Sequence, residues 1–373
     1  TLDRSSAASD VYKRQVFVGP QHEGILGLTL SPNFSQDNTL YTAYTYKDGE
    51  NEHAKIVRLL YNPVTKTATV AGTVIDKLPA NNDHNAGRLR LGYDGKLYYT
   101  IGDMGHNQGS NKQKPIQSQQ IPTQQQIIDK DWHLYAGKTL RLNTDGSIPQ
   151  DNPTINGIKS HIFTYGHRNP QGLVFVGDKL FSVEHGPNTD DEINLLQSGG
   201  NYGWPMVAGF VDNQAYEYTN HSENAEPKKE TNWQSKQIDP LKTFYTVNGN
   251  YQFKDSTCKD SAYICWPTIA PASVTYYPKT GSHTYWQNSL IISSLKNGSL
   301  YVVRLKGDQS NIQGDVGRYF HTQNRYRHTV VSPDGKTLYV ATDVAGNVVG
   351  ANGKPTKDLA NPGAMLQFDL QGN

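Results

Sequence analysis

Short runs in which apolar and polar residues alternate recur along the chain, and none sustains a 3.6-residue period, so the pattern predicts strands rather than helices. One unit repeats: a small polar turn, a leucine, then aromatic or β-branched residues. It occurs at Leu40 (NTLYTAYTY), Leu97 (GKLYYTIGD), Leu180 (DKLFSVEHG), Leu290 (NSLIISSLK) and Leu338 (KTLYVATDV). The five leucines are 57, 83, 110 and 48 residues apart. One core recurring at irregular spacing predicts an all-β chain of propeller blades with long loops inserted at one face. A solenoid or an ordinary sandwich is the less favoured arrangement. Two polar stretches, Ser110–Trp132 and Val211–Gln252, read as loops.

The stretch Asn81–Gly109, NNDHNAGRLRLGYDGKLYYTIGDMGHNQG, carries the first chemistry. Leu89 and Leu91 alternate with Arg88 and Arg90, Tyr93-Asp94-Gly95-Lys96 is a turn signal, and Leu97–Ile101 is rich in strand formers. Residues equidistant from a hairpin turn sit at the same end of the hairpin. His84 and Asp103 are equidistant from this one, so an imidazole and a carboxylate are expected to meet there, the pairing that makes a general base.

Composition removes several classes. Net charge is +1 and the pI about 7.7, which gives no electrostatic case for nucleic acid or an anionic membrane. No apolar run approaches the roughly 18–20 residues of a membrane helix. The two cysteines, Cys258 and Cys265, share the short stretch CKDSAYIC. A zinc site would need more ligands, so a disulfide is favoured over two free thiols, which points outside the cytoplasm. No secretory leader is recognised. Residues 1–15, TLDRSSAASDVYKRQ, share no pattern with the rest of the chain and read as an artefactual segment, leaving residues 16–373 as a single propeller domain.

Further polar segments suggest a ligand site. YGHRNPQG places Arg168 and Asn169 before a proline turn, and EHGPNTDDEINL offers Asp190, Asp191 and Glu192 with the carbonyls of a Gly-Pro turn, hard oxygen donors suited to calcium. Arg325 and Arg327 in NRYR would share a strand face and could clamp an anion, with Lys296 joining them. Tyr263 and Trp266 flank the second cysteine and would form an apolar wall for a sugar ring or planar cofactor. Neither a dinucleotide nor a P-loop fingerprint occurs. Together these residues are expected to line one pocket.

In order, DHNAGRL, YYTIGDMGHNQ, YGHRNPQGL, EHGPNTDDEINL, GGNYGWP, YICWPT, SLKNG, NRYR and TDVAGN resemble the soluble quinoprotein glucose dehydrogenases, from about Val16 to the C-terminus. The resemblance implies a periplasmic or secreted, six-bladed propeller that oxidises glucose or related aldoses at C1 to the lactone, using pyrroloquinoline quinone and calcium. It implies that His84 takes the anomeric proton while hydride passes to the quinone, that Asp103 polarises His84, and that Arg168 stabilises charge on the quinone oxygen. Gln108, Asn169, Thr268, Lys296, Arg325 and Arg327 become cofactor contacts. Tyr263 and Trp266 become the sugar platform. The carbonyls of Gly186 and Pro187 hold the quinone's calcium, and Asp191, Glu192, Tyr202, Ala208 and Asp212 match a structural calcium site near a dimer interface, with either Glu230 or Asn232 adding a side chain. The implied partners are an aldose, an artificial or respiratory electron acceptor and a second copy in a homodimer. A broader aldose dehydrogenase with the same cofactor, a sugar-binding propeller without turnover and a propeller lactonase are the alternatives. Two departures stand out. His22 replaces a glutamine that contacts sugar and base, and five blade cores are counted rather than six, which implies that most of the first blade is lacking.

Overall fold

A computed structural model describes residues 16–370 apart from 20, 215, 217–229, 231–232, 234–236 and 259–260. The segment 1–15 and Asn232 therefore lie outside the described residues. The chain divides into two compact units. One runs to Pro170 and takes in Gln197–Pro205; the other holds Gln171–Leu196, Met206–Tyr218 and the remainder from Pro227.

The first unit contains two antiparallel four-stranded blades. The first blade is Ile25–Leu30, Thr39–Asp48, Asn51–Asn62 and Thr67–Pro79, in that spatial order. The second is Leu89–Leu91, Leu97–Ile101, Lys138–Leu142 and Ile162–Tyr165. Their inner faces meet in one core that includes Ile56, Leu78, Leu89, Leu97, Tyr99, Leu140 and Ile162, all buried.

The second unit contains three blades. These are Gly172–Val176, Lys179–Glu184, Asp191–Leu196 and Lys242–Phe244; then Pro271–Tyr277, Ser289–Ser294, Leu300–Arg304 and Gly317–Tyr319; then the three strands Tyr326–Val331, Thr337–Thr342 and Met365–Asp369. Phe181, Val183, Ile193, Val274 and Ile292 bury one core, and Tyr277, Trp286, Leu300, Tyr326 and Leu338 another.

The repeated leucine marks the same place each time. Leu40, Leu97, Leu180, Leu290 and Leu338 each lie on the second strand of a blade, and all are buried. Alternation on a strand sends one set of side chains inward, and this position begins that inward set. Five blades are present among the described residues.

The two stretches read as loops hold more order than expected. Ser110–Trp132 contains a one-turn helix, Gln124–Ile128, opened by a capping box in which Thr123 accepts from the Gln126 N–H and Gln126 reaches back to the Thr123 N–H. Val211–Gln252 supplies Lys242–Phe244, the outer strand of its blade, paired with Asp191–Ile193. No helix among the described residues is long and apolar enough to cross a membrane.

Candidate functional site

The hairpin within Asn81–Gly109 forms with Leu89 opposite Tyr99 and Leu91 opposite Leu97. Its centre falls on Asp94, half a residue from the expected point, and the two polar loops leave from one end. Gly102 lets them touch. A Cβ there would lie 1.9 Å from the His84 carbonyl oxygen, so only glycine permits the approach. His84 itself has φ 49°, the left-handed region that is costly for a non-glycine residue and is held here by its surroundings.

His84 Nδ1 is 2.7 Å from Asp103 Oδ1. A carboxylate only accepts, so Nδ1 carries the hydrogen and Nε2 is left with a lone pair. Asp103 is 1% exposed, and its charge is met by further donors: Trp204 Nε1–H on Oδ2 at 2.8 Å and the Gly105 N–H on Oδ1 at 3.0 Å. The Asp103 N–H donates to the Arg168 carbonyl at 2.7 Å, which ties Asp103 to the loop carrying Arg168. The Arg168 guanidinium lies over the Trp204 ring, 5.5 Å from its centroid, and donates to Gln108 Oε1 at 2.9 Å. The Gln108 amide then donates to His84 Nε2 at 3.0 Å and to Asp83 Oδ2 at 3.1 Å. Asn169 is buried, and its side-chain oxygen has no partner among the described residues.

His22 belongs to the same group, with Nδ1 2.8 Å from Asp83 Oδ1. Burial pushes the Asp83 carboxyl up, but the His22 hydrogen bond, the two neighbouring imidazoles and Gln108 outweigh it and hold the group well below the usual carboxylate range.

The second unit gathers the other cations. Lys296 is buried and donates to the Trp266 carbonyl and, at 3.0 Å, to Thr268 Oγ1. Burial lowers its pKa, with Asp191 acting the other way. Asp191 accepts from the N–H groups of Gly186, Ile269 and Ala270 at 2.9, 2.7 and 2.8 Å. Burial raises its pKa against those bonds and Lys296. A Cβ on Gly186 would meet the Thr189 carbonyl oxygen at 1.8 Å, so the Gly186–Pro187 turn depends on glycine.

Arg325 and Arg327 do converge on an anion, and that anion is Asp343: Arg325 Nε donates to Oδ2 at 3.1 Å, and Arg327 Nε and Nη2 donate to Oδ1 and Oδ2 at 2.7 and 2.8 Å. A register shift between Tyr326 and His328 accompanies this arrangement. Arg325 also donates to the Asn347 carbonyl, whose side-chain amide donates to the Tyr263 hydroxyl at 2.8 Å. Cys258 and Cys265 are bonded, with Cα atoms 6.2 Å apart, and Tyr263 on the closed loop is half-exposed.

The residues assigned to a structural calcium are less convergent. Glu192 Oε1 accepts from the Gly209 N–H, and Glu230 accepts from the N–H groups of Ala208, Asp212 and Asn213. Burial raises the pKa of both carboxyls, Glu230 to about 7. The Tyr202 hydroxyl accepts from the Gln197 N–H in the first unit. Among the described residues no three His, Cys, Asp or Glu side chains are grouped as metal ligands.

Three functional neighbours are not marked by the sequence pattern: Asp83, Trp204 and Asp343. Asp83 and Asp343 sit inside the segments NNDHNAG and TDVAGN, with no periodicity to distinguish them. Trp204, in GGNYGWP, lies 101 residues from the carboxylate it serves, and no local signal spans that distance.

An all-β chain of blades that holds a buried His–Asp pair matches known oxidoreductases in both sequence and fold. The chain belongs to the Glucose / Sorbosone dehydrogenase family, whose description matches residues 3–257 and 244–350. It is 44% identical to quinoprotein glucose dehydrogenase B of Acinetobacter calcoaceticus, over 92% of this chain and 78% of that protein. The soluble aldose sugar dehydrogenase of Escherichia coli, solved in its apo form, superposes with a TM-score of 0.62 at 27% identity, covering 88% of this chain and 81% of the other. The PQQ-bound aldose sugar dehydrogenase of Streptomyces coelicolor gives 0.57 at 25%, covering 87% and 75%.

Proposed function

We propose that this protein oxidises glucose or a related aldose at C1 to the lactone, with pyrroloquinoline quinone as acceptor and calcium as its Lewis acid. The observation that carries the reading is His84 Nε2, a lone pair fixed by the Asp103 bond at 2.7 Å. Simple sugar binding has no use for a buried base.

In each unit taken by itself, the residues are of the kinds the cofactor's chemistry calls for. Its chemistry is a planar tricarboxylate that accepts hydride and needs cations and amide groups around it. The first unit offers Arg168, Gln108 and the unpartnered Asn169 oxygen. The second offers Lys296 and Thr268, and a pair of arginines that keeps net positive charge after Asp343 is counted. The Gly186–Pro187 carbonyls are hard donors of the kind calcium takes. In this reading His84 accepts the anomeric hydroxyl proton at Nε2, Asp103 steadies the resulting imidazolium, and Arg168 faces developing negative charge. Tyr263 and Trp266 are the proposed sugar platform, and His22 stands where the family has a glutamine that contacts sugar and base, so a broad-specificity aldose dehydrogenase with the same cofactor is the alternative. Asp191, Glu192, Tyr202, Ala208 and Asp212 remain the proposed surroundings of a second calcium beside a homodimer contact. The same reading keeps residues 16–373 as one propeller of the six-bladed type that lacks most of its first blade, and assigns it to the periplasm or the cell exterior, where the Cys258–Cys265 bond is stable.

The test is reconstitution. The apoprotein should gain dye-linked aldose oxidation only when quinone and calcium are both added. Aldose binding with no turnover under those conditions would leave a sugar-binding protein instead.

A further inference from the structure

His84 is not the only imidazole in this part of the first unit. The His22 ring lies 6.4 Å away, centroid to centroid, and the two planes differ by 9°. Asp83 serves both. Its Oδ1 is 2.8 Å from His22 Nδ1 and 3.7 Å from His84 Nε2, the nitrogen left bare for the substrate proton. Exposure rises along the same line: the side chains of Asp103 and His84 are 1% and 8% exposed, that of Asp83 26% and that of His22 44%.

The surroundings of His22 Nδ1 are unusual in a second way. The His84 backbone N–H is shared between Asp83 Oδ1 at 2.9 Å and His22 Nδ1 at 3.1 Å, and Asp83 Oδ1 itself lies 2.8 Å from that nitrogen. A nitrogen with a donor and an acceptor both in reach is supported bare and supported protonated. That suits a group through which a proton passes.

We propose that Asp83 and His22 form the proton outlet of this site, carrying to water the proton that His84 takes up. The inference rests on the reading of His84 as the base. Each step conserves protons. The anomeric O–H bond breaks and an N–H bond forms on His84 Nε2, giving an imidazolium. That bond then breaks as the proton crosses the Asp83 carboxylate to Nδ1 of His22 in its Nε2–H tautomer, His22 releases the Nε2 hydrogen to water, and proton exchange of the exposed ring with water restores that tautomer for the next turnover. No electrons move in these transfers, and water is the final acceptor. Asp83 is held strongly acidic by its neighbours, so it hands the proton on rather than storing it. The 3.7 Å gap is longer than a hydrogen bond, and a small ring rotation or one bridging water closes it. Gln108 donates to both His84 Nε2 and Asp83 Oδ2 and keeps the two ends of that gap in register.

The other charged groups facing this pair are Asp103 and Arg168 on the buried side, His106 and Lys114 from the loop after Leu97–Ile101, and Glu23 beside His22. None of them bridges the two rings, so the coupling runs through Asp83.

The test uses the reconstituted enzyme and the cofactor-free chain together. His22→Gln should lower kcat about tenfold, a larger effect than any change in KM from the altered sugar contact, and added imidazole should restore kcat. The unaltered protein should be indifferent to imidazole. A His22→Gln enzyme that turns over normally, or that loses only KM with no rescue, would overturn the outlet. In the cofactor-free chain, NMR titration of ¹⁵N-labelled histidines should show His22 and His84 titrating in dependence on one another, and Asp83→Asn should uncouple them. Independent titration in the unaltered chain would also overturn it. Failure of the unaltered protein to oxidise any aldose would instead tell against the functional reading, since the NMR coupling needs neither quinone nor substrate.

Discussion

Four neighbours fix the state of the His84 ring, two of them directly and two through Asp103. Asp103 fixes the tautomer, Trp204 and the Gly105 N–H donate to the two oxygens of the buried Asp103 carboxylate, and Gln108 donates to Nε2. On the proposed function, replacing His84 with alanine removes the proton acceptor but none of the cations. Turnover should fall by about 10²–10⁴-fold while quinone affinity stays close to that of the unaltered protein. Titration of the cofactor into the variant checks this, and an equal loss of affinity would make His84 a structural residue. At this scale legibility tracks sequence distance. The His84–Asp103 contact is legible because one hairpin relates the two residues, and hairpin geometry is arithmetic on residue numbers. The two arginines are expected to hold a ligand anion, yet the nearest anion is Asp343, which a strand-face argument cannot see because it lies on a different segment. His22 stands out in the sequence only as a departure from a resemblance. Its partner Asp83 sits in the same loop as the base and needs coordinates to be recognised.

The elements that carry the site are stiff blades with polar loops at their strand ends, and the loops are held by side chains rather than by length. Lys138 shows how. It is fully buried on Lys138–Leu142, and its ammonium donates to the carbonyls of Gln117, Ser118 and Ala136, which pins the Ser110–Trp132 stretch beside Gly102 and His167. The blades are legible because burial on one face imposes alternation. The one-turn helix is not, since five residues cannot display a 3.6-residue period, although the Thr123-x-x-Gln126 pattern is there to be read. The disulfide loop is the element with the clearest separable role. Cys258–Cys265 closes a short loop whose chain-entropy contribution is modest, about 2–3 kcal/mol, but the loop presents Tyr263, tied to Asn347, and leads directly into Trp266. Mild reduction should therefore raise KM for the sugar more than it lowers the melting temperature. Parallel measurement of both in reduced and oxidised protein decides; a drop in melting temperature with KM unchanged would remove the loop from the sugar site.

The stability of the whole molecule should carry a pH signature from one buried imidazole in the core of the first unit. His161 is 3% exposed, packed edge-on against Trp132 and Tyr135. Its Nδ1 accepts from the Tyr135 hydroxyl at 2.9 Å, and its Nε2–H donates to the Gly146 carbonyl at 3.0 Å. Both nitrogens are used by the neutral ring, and a second N–H would face a hydroxyl already committed as a donor. Burial accordingly pushes the pKa down from 6.5 to about 4, against the Gly146 bond. Proton counting sets the sign. Between about pH 4 and 6.5 the unfolded chain binds a proton at this position that the folded chain does not, so folding loses ground as the pH falls through that window and is unaffected above it. At pH 5 the loss is about 2 kcal/mol relative to about pH 7.5. His161→Gln keeps an acceptor for Tyr135 and a donor for Gly146 but cannot titrate. Unfolding free energies of the two proteins, measured by denaturant at both pH values, isolate the effect, because every other titrating group is common to both and cancels in the difference. The gap between them should move by about 2 kcal/mol in favour of the glutamine protein at the lower pH. A gap that stays constant across that range would mean that the His161 site opens enough to protonate without unfolding, and that the Trp132–Tyr135 packing around it is looser than its burial implies.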